Sequence, residues 1–532
     1  MKTLYYLKNK TFLFVLSFIV VCLLYDYYHI FKLRPHSIHQ WRQTDCLSIT
    51  SNFYEHGMDF FSPEIHNLIS DNKTTGMTAG ECPIMYYFVA ILWKIFGVHE
   101  WIYRFVGLSL IFIGLYSLFK ITYYFVEDVF WSIGLPFLLF TSPIFANYGV
   151  SFITNVSAIC IVLAGWWIFL RFYITKKNSL LYFSMLLFLI AGLIKISTLI
   201  SFIFLIAVFL GERIPFINKK RKFIFNGFKN LIPMFLVVVI NVAWYYFAER
   251  YNHIHGGKYT FNNLWPIWEM DKTMIYQYFL QIRKNTVYQL FNPVVLYSFA
   301  FMALTIILTP KKHSKFFYYG TYTLLIGGVI YTLLWFRAFD VHDYYYVDLL
   351  IILMFIPLTF FIFLKNNFEP FLKSMVIKIM YSLFLLYNII YCSDMLELRY
   401  FPKENRKYLI VGSQDIVDFF KWFNWDYPQH YEALENIKPY LQSIGIKQED
   451  KIISMPDQSI NITLYLMDQK GFTNFGYDDL QGDVRIKTFI DAGAKFLIIN
   501  DKKLLDEQYL KPYLKNKIGE YKNIIIYNLQ NI

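Results

Sequence analysis

The chain has 532 residues, of which 56% are hydrophobic and 17% are charged, whereas a soluble domain carries about 25% charged residues. Several windows of about 20 residues are almost wholly apolar, which excludes an ordinary soluble enzyme and indicates a polytopic α-helical membrane protein. The formal net charge of +12 comes from Lys and Arg in short loops between apolar segments. This distribution is typical of membrane topology, so we expect a lipid bilayer and no nucleic acid as partner.

The apolar segments predict about eleven membrane-spanning helices. The predicted spans are 11–31, 101–125, 129–143, 150–172, 180–194, 196–210, 231–248, 290–309, 316–336, 345–364 and 374–392. The apolar segment 83–97 is short and contains Lys94, so it is predicted to lie at the membrane interface. The first span follows Lys2, Lys8 and Lys10 without a small-residue cleavage site, which predicts a retained anchor.

Lys195 divides the apolar stretch 180–210 into two predicted helices. A lysine at mid-bilayer would cost about 2.5–3.5 kcal/mol, and a hairpin avoids this by placing Lys195 at an interface. With the hairpin, every basic loop falls on the same side as the N-terminus, which is therefore predicted to be cytoplasmic. The predicted outer segments are the loop 36–81, the turn 143–150, Lys195, the loop 249–290, the turn 337–346 and all residues after 393.

The tail 393–532 has the composition of a soluble domain and follows a predicted membrane domain at 1–392. Segments Lys451–Met455, Lys495–Asn500 and Asn523–Leu529 predict strands. Segments 431–444, 458–468 and 504–517 predict helices between them. We therefore expect a small extracytoplasmic α/β domain, in which neither a P-loop nor a glycine-rich dinucleotide fingerprint occurs.

The first outer loop, predicted at residues 32–82, is polar, aromatic and charged. It is much longer than the usual connection between helices, which indicates a function beyond reversing the chain. Asp45 and Glu81 are predicted to lie in this loop just outside the bilayer, and each is directly followed by a cysteine, Cys46 and Cys82. The sequence therefore predicts a site built around two carboxylates.

Six motifs follow one another along the chain: WRQTD ending at Asp45, GECPIMYY with Glu81, IFGVHEWIYRFVGLSL with Arg104, the Ser-Pro turn at 142–143, LIKIST around Lys195, and HDYYYVDLL from His342. In this order they resemble the family-39 glycosyltransferases, which include protein O-mannosyltransferases and bacterial aminoarabinose transferases that modify lipid A. The resemblance covers residues 10–365. It implies the C-type glycosyltransferase fold, a polyprenyl-phosphate sugar donor and a catalytic carboxylate in the first outer loop. Asn155 departs from the pattern, because relatives often have an acidic residue there.

Sugar transfer from a lipid phosphate to a hydroxyl requires a base that takes the hydroxyl proton as the new bond forms. Asp45 is the predicted base, and its alternative role is that of a helix N-cap or a surface ion pair. Glu81 is predicted to orient the acceptor or to tune Asp45. Alternatively, Glu81 occupies the first turn before Pro83, where an acid interacts favourably with the helix dipole.

The same reaction requires positive groups that hold the departing phosphate. The candidates are Lys195, Arg104, Arg42, Arg337 and His342. Lysine offers a point charge and arginine a bidentate fork. The alternatives are that Arg104 and Lys195 extend to lipid headgroups and that Arg337 pairs with Asp340.

His342, Asp343 and Tyr344 are predicted to line the site at an outer helix mouth. The alternative is an interfacial belt of aromatic residues. Asp45, Glu81, His342 and Asp343 offer oxygen and nitrogen ligands, but nothing in their spacing supports a metal, so no metal or cofactor is predicted. A disulfide between Cys46 and Cys82 is a further hypothesis, with two unpaired thiols as the alternative.

The predicted function is sugar transfer from polyprenyl phosphate, undecaprenyl phosphate in bacteria, to a glycan, lipid or protein at the outer face of the inner membrane. A transporter or flippase of lipid-linked glycans is one alternative, although the sequence shows no inverted repeat. A polysaccharide polymerase or ligase is another, because the loop 249–290 is long and contains His253, His255 and Glu269. The last alternative is a non-catalytic scaffold.

Overall fold

A computed structural model describes residues 2–214, 223–258, 264–401, 414–475 and 482–530. Contacts between Cα atoms divide the chain into two compact units. The first unit consists of Met1–Phe31, Arg104–Ala243 and Leu264–Val417, and the second consists of Lys32–Tyr103, Trp244–Asn263 and Asp418–Ile532. Both units are discontinuous in sequence. The predicted boundary at residue 392, which separates membrane from soluble residues, stays a prediction.

Apolar helices dominate the chain. Six helices are long and apolar enough to cross a membrane: Glu100–Val126, Asn155–Thr175, Phe228–Ile254, Lys315–Leu334, Asp343–Asn367 and Met375–Tyr400. Two bent pairs raise the number to eight among the described residues: Val129–Phe140 with Pro143–Gly149, and Lys272–Leu290 with Pro293–Leu308. Shorter apolar helices are Lys10–Leu24, Ile84–Phe96, Asn178–Ile194 and Ile196–Gly211. Each of the eleven predicted spans therefore contains a helix, and Ile84–Phe96 is the segment predicted to be interfacial.

The remaining elements are short or lie outside these spans. The further α-helices are Tyr27–Ile30, Gln40–Glu55, Ala338–Val341, Glu369–Lys373, Gln414–His430, Lys438–Ser443, Ile462–Met467 and Gly482–Asp491. Short 3-10 helices occur at Leu68–Asp71, Ile267–Glu269, Pro310–Lys312, Glu432–Asn436, Lys502–Asp506 and Lys511–Tyr513. The predicted helix 504–517 is therefore wrong. Pro512 would lie in the interior of that helix, where proline is not tolerated, and only the single 3-10 turn Lys511–Tyr513 begins beside it.

Both bent pairs break immediately before a proline. Ser142 and Asn292 precede Pro143 and Pro293 and have ψ angles of 117° and 137°, because a following proline disfavours helical backbone. The Asn292 side chain accepts a hydrogen bond from the Val294 N–H at 3.0 Å, which caps the new helix. The two pairs bend by 77° and 90°. The Ser-Pro sequence at 142–143 is thus a helix break at the predicted end of a span, but the segment 143–150, predicted as a turn, contains the short helix Pro143–Gly149.

The segment Lys32–Tyr103 is folded around a buried polar helix, Gln40–Glu55. Nearly all of its side chains from Gln40 to Phe53 are buried although the helix is hydrophilic on average. It packs against the apolar helix Ile84–Phe96 and against Ile462–Met467. Polar side chains buried in this way must find partners within the protein, so this helix is the place to look for a site.

The described part of the C-terminal segment contains a five-stranded mixed sheet. Its strands are β1 (Lys451–Met455), β2 (Gly471–Phe472), β3 (Ala494–Ile499), β4 (Lys517–Tyr521) and β5 (Ile524–Asn528), in the spatial order β2-β1-β3-β5-β4. Strand β1 is parallel to β2 and β3, whereas β5 is antiparallel to β3 and β4. The continuous apolar runs of β1 and β3 are buried, as expected for strands covered on both faces. The three predicted strands are confirmed within one residue, and β2 and β4 were not predicted.

The edge of this sheet continues into the segment Lys32–Tyr103. Asn67 forms a parallel bridge with Gly471 of β2, and the Gly471 N–H donates to the His66 carbonyl at 3.1 Å. A Cβ atom on Gly471 would lie 2.0 Å from the Ile452 carbonyl oxygen, so only glycine fits here. The sheet and the first large loop therefore belong to one compact unit.

Candidate functional site

Asp45 lies in the middle of the helix Gln40–Glu55 and is 1% exposed. One carboxylate oxygen accepts a hydrogen bond from the Asn461 side-chain amide at 2.7 Å. The other oxygen has no hydrogen-bond partner among the described residues. The alternatives of an N-cap or a surface ion pair are therefore wrong, because His39 is the N-cap of this helix and Asp45 is buried.

Arg42 lies one turn before Asp45 on the same helix and pairs with Glu81. The two side chains are 9% and 13% exposed, so the ion pair is largely shielded from water. Glu81 precedes the helix Ile84–Phe96 by three residues. Its carboxylate forms an ion pair with Arg42, so its charge does not interact with the helix N-terminus alone. Three predicted site residues, Arg42, Asp45 and Glu81, are thereby brought together in the second unit.

Opposing effects set the pKa of Asp45 to about 6, above its usual value of 3.8. Burial raises the pKa most, while Arg42 and the Asn461 hydrogen bond lower it. The nearby carboxylates of Asp457 and Glu81 raise it again. A carboxylate of this kind is mostly ionised at neutral pH yet binds a proton readily, which is the property of a general base.

The two cysteines beside the carboxylates are free thiols. The Cys46 sulfur lies 3.4 Å from the Tyr86 hydroxyl. The hypothesis of a Cys46–Cys82 disulfide is therefore wrong. Burial raises the pKa of Cys46 to about 11 and that of Cys82 to about 12, so neither thiol is a nucleophile at neutral pH.

The first unit contains a second buried carboxylate, Asp343. It accepts hydrogen bonds from the Tyr148 hydroxyl and, at 2.7 Å, from Arg399. Arg399 is fully buried and also donates to the Gln289 side-chain oxygen at 2.7 Å. Sequence analysis missed Arg399, because the predicted span ended at residue 392 whereas the helix continues to Tyr400. An ionisable residue inside a span is itself a signal of function.

The neighbours of Asp343 are held by backbone and ring contacts. Tyr344 is 4% exposed, and its carbonyl oxygen accepts a hydrogen bond from the Asn155 side chain at 3.3 Å. His342 is half-buried, and its ring stacks on that of Trp265 with centroids 6.0 Å apart. The alternative of an interfacial aromatic belt is wrong for Tyr344, because its side chain is buried. Position 155 thus contacts this segment, although it holds an asparagine where relatives often have an acidic residue.

Lys195 ends the helix Asn178–Ile194 and is 9% exposed. Its ammonium nitrogen lies 4.9 Å from the centre of the Tyr345 ring, a cation–π contact. In the next turn, the Ser197 hydroxyl donates to Asp348 at 2.6 Å. The helix break at Lys195 is as predicted, and its side chain is buried against the Tyr345 ring rather than extended to lipid headgroups.

Arg104 and Arg337 differ in their surroundings. Arg104 is fully buried, donates to the Val150 carbonyl at 2.7 Å and lies 4.2 Å from the centre of the Phe152 ring. The alternative of snorkelling to headgroups is therefore wrong for Arg104. Arg337 is exposed. The ion pairs of the described residues do not include the expected pair with Asp340.

Side chains that could act as metal ligands do not cluster in the described part of the chain. Among residues 2–214, 223–258, 264–401, 414–475 and 482–530, no group of three or more His, Cys, Asp or Glu side chains could hold a metal ion. The expectation that no metal or cofactor takes part stays a prediction.

The fold defines the class of protein. A crystal structure of ArnT from Cupriavidus metallidurans bound to undecaprenyl phosphate is similar, with a TM-score of 0.57 at 11% identity, and the match covers 97% of both chains. The apo state of the same protein gives a TM-score of 0.53 at 10% identity over the same shares. The chain is therefore a polytopic membrane protein with the C-type glycosyltransferase fold.

A structure of the arabinofuranosyltransferase AftD from Mycobacteria gives a TM-score of 0.49 at 11% identity, covering 97% of this chain and 39% of that one. No protein-family signature matches the sequence, and no curated protein matches it either. Membership of family 39 stays a prediction, since similarities at 10–11% identity show the fold alone.

Proposed function

We propose that this protein transfers a sugar from a polyprenyl-phosphate carrier to a hydroxyl group of an acceptor. The observation that carries the proposal is the state of Asp45, a buried carboxylate with one oxygen bonded and the other without a described partner. The fold supports it, because the similar ArnT structure contains undecaprenyl phosphate. The residue order that resembles family 39 also supports it.

In the proposed reaction, Asp45 acts as the general base. The acceptor O–H gives its proton to the unbonded oxygen of Asp45, and the acceptor oxygen forms a bond to the anomeric carbon of the sugar. The bond between that carbon and the phosphate oxygen breaks, and its electron pair leaves with the polyprenyl phosphate. A pKa of about 6 keeps Asp45 ionised at neutral pH and so ready to accept the proton.

The role of Glu81 follows from its pairing with Arg42. In the proposal Glu81 tunes Asp45, because its charge and that of Arg42 act on the Asp45 carboxylate with opposite signs. Arg42 is also a candidate for holding the departing phosphate. Its ion pair with Glu81 compensates part of its positive charge, which weakens its attraction for a phosphate.

The other phosphate candidates stay proposals. Arg104 donates to a carbonyl oxygen and Lys195 contacts an aromatic ring, and both are cationic side chains buried in the first unit. Arg337 is a candidate for holding the phosphate because of its positive charge, and His342 is a candidate because its ring can donate a hydrogen bond. Asp343 and Tyr344 are proposed to keep the segment from His342 in place.

The proposed location is the bacterial inner membrane, with the N-terminus in the cytoplasm. This assignment rests on the basic loops, which all fall on one side when Lys195 separates two helices. The loop 32–82 and the C-terminal domain then lie at the outer face, where a lipid-linked sugar would be used.

The test is transfer of label from radiolabelled undecaprenyl-phosphate sugars in membranes that contain wild type, Asp45→Asn or Asp59→Asn. Asp59 is an exposed aspartate of the same loop and serves as the matched control. Loss of a general base lowers the rate by about 10²–10⁴-fold. We expect this loss in Asp45→Asn and near wild-type transfer in Asp59→Asn at equal insertion.

Two results would contradict the proposal. Near-full transfer by Asp45→Asn would show that Asp45 is not the base and would make Glu81 the next candidate. Movement of intact lipid-linked glycan across vesicles that contain the protein, without transfer of label, would favour a flippase instead.

A further inference from the structure

We infer that Asn461, in the C-terminal domain, is a positioning residue for Asp45, so that this domain completes the active site. The inference rests on the proposed function, in which Asp45 is the base. No residue of the tail was among the predicted site residues. Asn461 is 0% exposed, and it lies 416 residues from Asp45 in the sequence, so no local pattern connects the two.

The orientation of the Asn461 side chain is determined by its two ends. The amide nitrogen donates to one oxygen of Asp45 at 2.7 Å, and the amide oxygen accepts the Asn67 N–H at 3.0 Å. Because a backbone N–H can only donate, the amide cannot be reversed without losing both bonds. Asn461 therefore fixes one oxygen of Asp45 and leaves the other free to accept a proton.

The backbone around Asn461 is held from two sides. Asp457 accepts hydrogen bonds from the Ser459 hydroxyl at 2.6 Å and from the Thr463 hydroxyl at 2.7 Å. The side chain of Asn67 donates to the Ile460 carbonyl at 2.8 Å. Such support keeps a positioning group within the narrow range of geometry that catalysis requires.

The C-terminal domain is also attached to the first large loop at other points of the same unit. Arg34 donates to the carbonyl oxygens of Glu435 and Leu466 at 3.0 and 3.2 Å. Lys470 pairs with Glu64 at 2.6 Å. These contacts fix the domain independently of Asn461, so a substitution at Asn461 is expected to leave the domain in place.

A neutral amide suits this position better than a cation. Arginine would bind both oxygens of the carboxylate and hold its proton affinity low, whereas an amide directs one oxygen and leaves the negative charge available. A hydrogen bond to the charged form favours that form, so removing the Asn461 amide raises the pKa of Asp45. In a plot of transfer rate against pH, the rise on the acidic side then moves to higher pH.

The experiment compares wild type, Asn461→Ala, the isosteric Asn461→Asp and the control Asn523→Ala. Asn523 is half-buried in the same domain and donates to the Gln429 carbonyl at 2.7 Å. The first readout is the pH dependence of transfer from radiolabelled undecaprenyl-phosphate sugars. The second is the pH titration of the Asp45 carboxyl band, obtained as the infrared difference from the same protein carrying Asp45→Asn.

We expect the midpoint of both readouts to rise by about one pH unit in Asn461→Ala, which lowers transfer about tenfold below the midpoint. Asn461→Asp places a second carboxylate against Asp45 and should raise the midpoint further. In Asn461→Ala, transfer should recover substantially at pH 8. Asn523→Ala should titrate like wild type.

An unchanged midpoint in Asn461→Ala overturns the inference, even if transfer falls uniformly at every pH, because a purely structural role predicts that uniform fall. The infrared titration also separates the two proposals. If wild type shows no transfer from any donor, the proposed function fails, while the shift of the Asp45 band still decides whether Asn461 acts on Asp45.

Discussion

Two buried aspartates, Asp45 and Asp343, are held in opposite ways. Asp343 is 4% exposed, and its two oxygens are bonded to a guanidinium and a phenol, those of Arg399 and Tyr148. Asp45 is 1% exposed and has one neutral amide partner, while its other oxygen has no partner in the described part of the chain. A buried carboxylate paired with a cation is stabilised in its ionised form and has a low affinity for a proton. One that is bonded on a single side keeps a lone pair available for a proton.

The comparison bears on the different tasks that were predicted for the two residues. Asp343 was predicted to bind substrate, but its contacts favour a role in fixing the segment from His342 to Tyr344. Asp45 was predicted to be the base, and its contacts favour that role. The following predictions test whether the difference in pairing produces the difference in behaviour.

The largest effect is expected from Arg399→Met, which leaves Asp343 buried without its cation. Breaking a buried ion pair in this way should lower the free energy of unfolding by about 3–5 kcal/mol. The double variant Arg399→Met with Asp343→Leu removes both charges and should recover much of that loss. Thermal unfolding in detergent measures both, with the exposed Arg337→Met as control. Equal stability of the single and double variants would show that the two side chains are not coupled.

The next effect concerns Asp45 and the pH dependence of stability. Its pKa is about 6 in the folded protein against 3.8 for the free group, so between these values the folded state binds more protons than the unfolded chain. Stability therefore falls as pH rises from about 4 to about 6, by about 2–3 kcal/mol, and then levels off.

The variant Asp45→Asn should lack this fall, because its side chain does not titrate. The measurement is the melting temperature at several pH values between 4 and 8, with Asp59→Asn, a substitution of an exposed aspartate, as the control. If the melting temperatures of Asp45→Asn and wild type change with pH in the same way, burial does not raise the pKa of Asp45 as its surroundings imply.

A smaller effect is expected from Tyr148→Phe, which removes the phenol that donates a hydrogen bond to Asp343. Arg399 remains, so the carboxylate stays paired, and the loss should be about 1–2 kcal/mol, as for a hydrogen bond to a charged group. The exposed Tyr276→Phe serves as the control. A loss as large as that of Arg399→Met would mean that the phenol, rather than the ion pair, holds Asp343.

The sequence predicted those parts of the structure that depend on neighbouring residues. Apolar runs located the helices, and a proline located the break after Ser142, because both act within a few residues. Arg42 and Asp45 were predicted as site residues of an outer loop, and their place on the helix Gln40–Glu55 was not predicted. Asn461 could not be predicted, since its partner is 416 residues away and an isolated asparagine carries no motif. Arg399 was missed because its helix extends two turns beyond the apolar run.

The smallest effect is expected from Glu81→Gln, and the direction of its pH shift is what distinguishes it from the other variants. The charge of Glu81 raises the pKa of Asp45, and Arg42 lowers it. Removing the Glu81 charge also releases Arg42 from its pair, so both changes favour ionised Asp45. The acidic limb of the transfer profile should move to lower pH by about half a unit, opposite to the shift expected for Asn461→Ala. The control is Glu55→Gln, an exposed acid at the end of the same helix as Asp45. A shift to higher pH would mean that Glu81 supports the negative charge of Asp45 indirectly, by holding Arg42 where it stabilises that charge.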